Sequence, residues 1–209
     1  MKKIVTIVAL SMLGTTSFGQ AVEEGNVIID AYYGFPNLYT SVFQSLYANS
    51  GTESNVNVGG LGPVGGRVEY MLADKIGLGV DFAYFGSSVE FQQDVTTTDP
   101  VTFETTTTTY DYDYSTAKIG AMVTFNYHFL DNDQLDAYAM VGAGYKNRNF
   151  SFSSTDPNYE EVTVSGTILP IASRIGVGMR YFFTDNIGLN LAVGFGQGGI
   201  VNGGISAKF

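Results

Sequence analysis

Apolar and polar residues alternate with a period of two along most of this chain, the spacing of strands whose two faces meet different surroundings. The clearest stretch is IGLGVDFAYFG: Ile76, Leu78, Val80, Phe82 and Tyr84 share one face, and Gly77, Gly79, Asp81 and Ala83 share the other. IGLNLAVGFG repeats it, with Ile187, Leu189, Leu191, Val193 and Phe195 opposite Gly188, Asn190, Ala192, Gly194 and Gly196. Eight such segments are predicted, at about 26–35, 60–72, 76–92, 110–130, 135–152, 164–183, 187–197 and 199–209. No stretch shows a convincing helical period. The chain reads as all-β.

Charged residues respect the alternation. Arg67 and Glu69 lie opposite Val68, Tyr70 and Leu72, and Arg174 and Arg180 fall with Gly176 and Gly178, opposite Ile171, Ile175, Val177, Met179, Tyr181 and Phe183. Lys118 and His128 share a face with Gly120 and Asn126. Lys146 and Arg148 agree with each other, although Tyr138 and Met140 fall on their side. An Arg facing lipid at mid-bilayer costs about 2–4 kcal/mol, so a membrane barrel has to segregate its charges in this way.

Segregation leaves open which face is inside. A soluble lipocalin-like barrel also alternates, with its polar face outward, but that outer face needs many Lys and Glu. Only 14% of this chain is charged, against 44% hydrophobic and 14% aromatic, and the polar face is largely Gly and small residues. Such a face suits a narrow, crowded lumen. The expected fold is an eight-stranded antiparallel up-and-down transmembrane β-barrel, polar inside and apolar outside.

Connection lengths agree. LADK (72–75), LDND (130–133) and FTDN (183–186) read as tight periplasmic turns, whereas 36–59, 93–109 and 153–163 read as long external loops. Tyr127, Phe129, Tyr181, Phe182, Phe183 and Phe209 stand at the periplasmic level and read as an aromatic girdle. The Thr/Tyr-rich stretch 95–115 suits a flexible polar loop and a strand extension above the membrane equally well, and 150–166 shares its habit. Extended strands there would leave an exposed edge able to receive another strand.

The opening MKKIVTIVALSMLGTTSFGQ has two Lys, a short apolar run and small residues, the layout of a secretory signal peptide cut near Gln20. Residues 1–19 are thus a leader and 20–209 the barrel. The chain has no Cys, which excludes a lipid-bearing Cys after the leader, a disulfide framework and a thiolate metal site. Without Lys2 and Lys3, eight basic residues face twenty acidic ones, a formal charge of −12 that argues against nucleic acid.

A leader, eight alternating strands, and a last strand NGGISAKF with apolar residues at alternate positions up to Phe209 together resemble the small outer-membrane β-barrel family of the OmpA/OmpX type. The resemblance implies a place in the bacterial outer membrane among lipid and lipopolysaccharide. It also implies that Phe209 ends the signal read by the barrel-assembly machinery. On this reading the barrel takes up the chain to Phe209, and no peptidoglycan-binding domain like that of full-length members is expected after it.

Candidate chemistry is sparse. His128, the single His, reads as a lumen residue near the lower rim, far from where an acyl-transfer site would meet outer-leaflet lipid. The acidic residues of the long connections lack the spacing of a calcium loop. GLGPVGG (60–66) and VGAGYK (141–146) lack the Lys-Ser/Thr and helix of a phosphate loop. No enzyme, metal site or cofactor is expected. The candidate site is a set of inward charges, Asp30, Arg67, Glu69, Asp81, Lys118, Arg174 and Arg180, with Lys208 pointing the same way. The basic members are expected to neutralise the acidic ones, because charges in a narrow interior must pair or stay hydrated. Two functions fit: a plugged barrel with a structural or surface-interaction role, its acidic external hairpins meeting an outside protein, and a narrow conduit for ions or small apolar solutes.

Overall fold

The computed structural model describes residues 20–47, 53–130 and 132–209; the leader expected at 1–19 lies outside the described residues. In chain order the elements are β1 (Val27–Phe35), α1 (Leu38–Tyr47), β2 (Glu53–Ala73), β3 (Ile76–Thr98), β4 (Thr105–His128), β5 (Leu135–Ser154), β6 (Val162–Ser165), β7 (Ile171–Phe182), β8 (Ile187–Gly196) and β9 (Val201–Lys208). All pairings are antiparallel, and β1 to β5 followed by β7, β8 and β9 close a ring when β9 meets β1. Eight strands therefore make the barrel, while the described strands number nine. The extra one, β6, covers the end of the expected 153–163 loop and the start of the expected 164–183 strand: it pairs with β5 above the ring, and the chain re-enters the wall only at Ile171.

The wall is lopsided. β7, β8 and β9 span 12, 10 and 8 residues, but β3, β4 and β5 span 23, 24 and 20. The β3–β4 ladder runs without a shift from Ile76↔Tyr127 to Thr98↔Thr105. Residues 93–98 and 105–109, expected within a long loop, are thus strand. Cross-strand Thr pairs, which fit a pleated surface, hold them there. Only 99–104 turns the corner, where the Asp99 side chain accepts hydrogen bonds from the backbone N–H of Val101 and Thr102.

Along the tall strands the two faces exchange character at one level. On β3, Ile76, Leu78, Val80, Phe82 and Tyr84 are exposed on the outside, while Asp81 is buried inside. Farther up, Glu90 and Asp94 take the outside and Val89 and Phe91 are buried inside. β4 does the same, with Ile119, Val123, Phe125 and Tyr127 outside below, and Asp111 outside with Tyr112 buried inside above. The apolar outer belt from Ile76 to Tyr84 is nine residues long, which matches the 9–11 residues of a tilted transmembrane strand.

Above the belt, β2 to β6 form an open sheet whose inner face has its own core. Val89, Phe91 and Tyr112 are buried there, with Phe43 and Tyr47 of α1 packed on them. Phe91 stacks on Tyr112 with ring centroids 5.3 Å apart, and Tyr47 stacks on Phe91 at 5.2 Å. Val56 and Val58 of β2 join this cluster although Val64 and Val68 face outward, because a register shift between Leu61 and Val64 swaps the faces. The Tyr112 hydroxyl donates to Asp156. Backbone and side-chain N–H groups of Asn158 also bind that carboxylate, first among the causes that hold it below the usual carboxylate range.

The helix α1 corrects the purely β expectation. The Asn37 side chain accepts from the Thr40 N–H and also donates to the Gly86 carbonyl, so it caps the helix and ties it to β3. At the opposite end, Ala21 and Val22 pack with Ile28, Met71 and Phe182 inside the lower mouth. Phe182 is therefore not a girdle residue. Tyr181 and Phe183 are exposed, and the single step between neighbours turns Phe182 inward.

Candidate functional site

At the level of the belt, buried side chains from several strands project into the lumen. Gly178, Gly77 and Gly79 make this possible by giving their neighbours the room a Cβ would take. A Cβ on Gly178 would sit 2.5 Å from the Tyr138 hydroxyl, and one on Gly77 would collide with the Glu69 carboxylate.

Two guanidiniums organise the charges. Arg180 donates through Nε to Asp30 at 3.1 Å and through Nη2 to Asp30 at 2.8 Å and Glu69 at 2.6 Å, while Nη1 reaches Asp136 at 2.8 Å. Arg67 bonds Asp81 through Nε at 3.3 Å and Nη2 at 3.2 Å, and Nη1 reaches Asp30 at 3.5 Å. Asp30 lies between them and also accepts from the Ser206 hydroxyl. Tyr138 supplies an aromatic face 4.3 Å from Arg180 Cζ, and its hydroxyl accepts from Arg67 at 3.0 Å. All seven side chains, Asp30, Arg67, Glu69, Asp81, Asp136, Tyr138 and Arg180, are buried.

His128 completes the set from below, with Nδ1 2.7 Å from Asp136 and Nε2 3.0 Å from Glu69. Both ring nitrogens face carboxylate oxygens, and both can donate only as imidazolium. Two Arg and one His thus meet four carboxylates. Asn126 donates to Glu69, and Tyr32 and the Gln197 amide donate to Asp81.

Five of the seven residues expected in this network are joined: Asp30, Arg67, Glu69, Asp81 and Arg180. Arg174 and Lys118 are not. Arg174 sits six residues above Arg180 on β7, about 20 Å along a strand, and binds the β8–β9 turn instead. Its guanidinium donates to the carbonyls of Gln197 and Gly199 and to Asn202 Oδ1. That turn needs Gly198 and Gly199, both at positive φ. Lys118 lies near the upper mouth over the Phe85 ring, and Lys208 donates to the Ala21 carbonyl at the lower mouth. Asp136, Tyr138 and His128 were missed as members. Their parity was available: 136 and 138 share a face with Lys146 and Arg148. The aromatic ring on that face obscured it, and here the ring is the platform on which Arg180 rests.

No family model matches the chain, and no curated protein does. Among solved structures, the chain is similar to the N-terminal β-barrel domain of Pseudomonas aeruginosa OprF at 15% identity and TM-score 0.44, covering 90% of this chain and 100% of that one. It is also similar to OprG of the same organism at 12% identity and TM-score 0.43, covering 93% and 99%. A third, Ail of Yersinia pestis, aligns at 15% identity and TM-score 0.39, covering 89% and 99%.

Proposed function

We propose that this chain is an integral β-barrel protein of a bacterial outer membrane, closed through its middle by the Arg67 and Arg180 network, with a sheet held outside the membrane as an interaction surface. The observation that carries this reading is the exchange of apolar and polar faces along β3 and β4. A soluble barrel has no reason to expose Leu78, Val80 and Phe82 below and bury Val89 and Phe91 above, whereas a bilayer edge at that level requires it.

On this reading lipid and lipopolysaccharide surround the belt, and the assembly machinery inserts it. The outer face of the sheet carries Glu90, Asp94, Asp111 and Asp113 amid Thr, an acidic surface suited to a basic partner. Beside it β6 pairs with β5 on one edge, and its exposed residues leave the other for strand addition.

Closure of the lumen is tested by conductance. Purified, refolded protein in a planar bilayer should be nearly silent, because paired charges in a narrow interior and an apolar lower mouth oppose the passage of hydrated ions. Arg67→Ala removes the cation between Asp30 and Asp81 and should admit a cation-selective current. A large, steady wild-type current would instead establish a narrow conduit.

A further inference from the structure

One cross-strand row of the upper sheet passes from core to surface along its length. Val89 of β3, Tyr114 of β4, Phe152 of β5 and Val162 of β6 pair in register and share the inner face. Val89 is 0% exposed where Phe43 and Tyr47 of α1 pack over this end of the row, whereas Val162 at the other end is 44% exposed. The row beneath repeats the gradient: Ser87 is buried, and Phe150 and Val164 are 36% and 54% exposed.

β6 reads Val-Thr-Val-Ser, the alternation of a strand with one covered face, yet all four of its residues are exposed. Its two Val face inward beside Phe150 and Phe152. The opposite wall does not rise to meet them, because β7 enters the ring only at Ile171, across from Tyr145. A helix thus covers one half of this apolar face and leaves the other half open. Charge borders the open half. The next inward positions toward the membrane are Lys118 and Arg148, paired across β4 and β5, followed by Lys146. Three of the eight basic residues of the 20–209 chain therefore gather at this border, while the outer face of the same sheet carries Glu90, Asp94, Asp111 and Asp113.

We infer that the open half of the inner face docks an amphipathic helix of a partner protein, its apolar stripe on Phe150, Val162 and Val164 and its acidic residues toward Lys118 and Lys146. The inference rests on the reading of this sheet as an interaction surface held outside the membrane, and names the partner's chemistry. A helix is the element this face already takes: α1 sets Phe43 and Tyr47, four residues apart, on the cluster of Val89, Phe91 and Tyr112. An added strand would lengthen the sheet at the edge of β6 and leave the Val side chains on its face uncovered, so strand addition does not account for them. Acidic residues on the helix meet the three cations, and a basic helix is repelled by them.

The test uses the 20–209 chain in phosphatidylcholine nanodiscs with ¹³C-methyl valines, and two designed helical peptides that share one Leu stripe and carry either Glu or Lys beside it. The Glu peptide should shift the signals of Val162 and Val164 saturably and leave those of Val80 and Val193, exposed in the belt, in place. The Lys peptide should bind at least about tenfold more weakly. Val164→Asp should weaken the Glu peptide about tenfold and Lys118→Gln about threefold, and Thr163→Asp, on the other face of β6, should leave it unchanged. No response, equal affinity for the two peptides, or equal shifts at the belt valines would overturn the site. So would shifts at Val162 and Val164 that follow protein concentration alone, which assign the face to a second copy, or that follow added phosphatidylglycerol alone, which assign it to lipid. A fluorophore on Val164→Cys separates this inference from the reading beneath it. Quenching by brominated phosphatidylcholine would put the sheet in the bilayer and end both, whereas an unquenched probe without a peptide response ends the inference alone.

Discussion

Arg180→Ala should lower the unfolding free energy by about 3–5 kcal/mol, the cost of breaking a buried pair and leaving its partner charged. Arg180 is the only described cation that reaches Asp30, Glu69 and Asp136 together, so its removal leaves these three carboxylates in one constricted space with only Arg67 beside Asp30 and His128 beside Glu69 and Asp136. Urea unfolding in phosphatidylcholine vesicles, followed by circular dichroism because the chain has no Trp, measures the change. Arg174→Ala should cost less, about 1–3 kcal/mol, since it leaves carbonyls of a tight turn and Asn202 without a donor rather than carboxylates without a cation. Equal losses at the two positions would mean that the charge network contributes no more than ordinary polar packing.

The second large effect separates two residues on one face of one strand. Val80→Arg should cost about 2–4 kcal/mol and impair insertion, because Val80 occupies the middle of the apolar belt. Glu90→Arg, ten residues farther along the same outer face, should insert like wild type. The yield of vesicle-protected barrel after refolding compares them. Similar yields would remove the membrane boundary from between the two positions.

Period-two alternation made the belt of the barrel legible, since β3 and β8 cross it with an apolar residue at every outward position and Gly, Asn, Asp or Ala at the inward ones. That signal depends on one side being lipid-like and the other polar. Where the surroundings reverse, at Glu90 and Phe91, the alternation continues with its meaning exchanged, and the extended hairpins read equally as loop and as strand. The helix α1 was hidden for a different reason. LYTSVFQSLY has Phe43 and Tyr47 on the sheet and Leu38, Val42 and Leu46 exposed on another side, so apolar residues on two faces blurred the period. Its Tyr, Thr and Val content favours strands, and tertiary packing on Phe91 overrides that preference.

Charges were legible as to face and less so as to partner. Parity places Arg174 and Arg180 together inside, but partner choice depends on height along a tilted wall, which sequence spacing within one strand does not relate to neighbouring strands. The β7–β8 register, with Arg174 opposite Gly196 and Arg180 opposite Asn190, is what carries Arg174 up to the turn and leaves Arg180 among the carboxylates.

The central claim is that lipid meets the outer face of the belt and water meets the same face above it. The chain has no Cys, so single Cys substitutions at Leu78, Val80, Ser88 and Glu90 can each carry one fluorophore without background. In vesicles of brominated phosphatidylcholine, probes at Leu78 and Val80 should be strongly quenched, and probes at Ser88 and Glu90 should keep their emission. Equal quenching at all four positions, or stronger quenching at Glu90 than at Val80, would contradict a membrane barrel with its boundary near Tyr84.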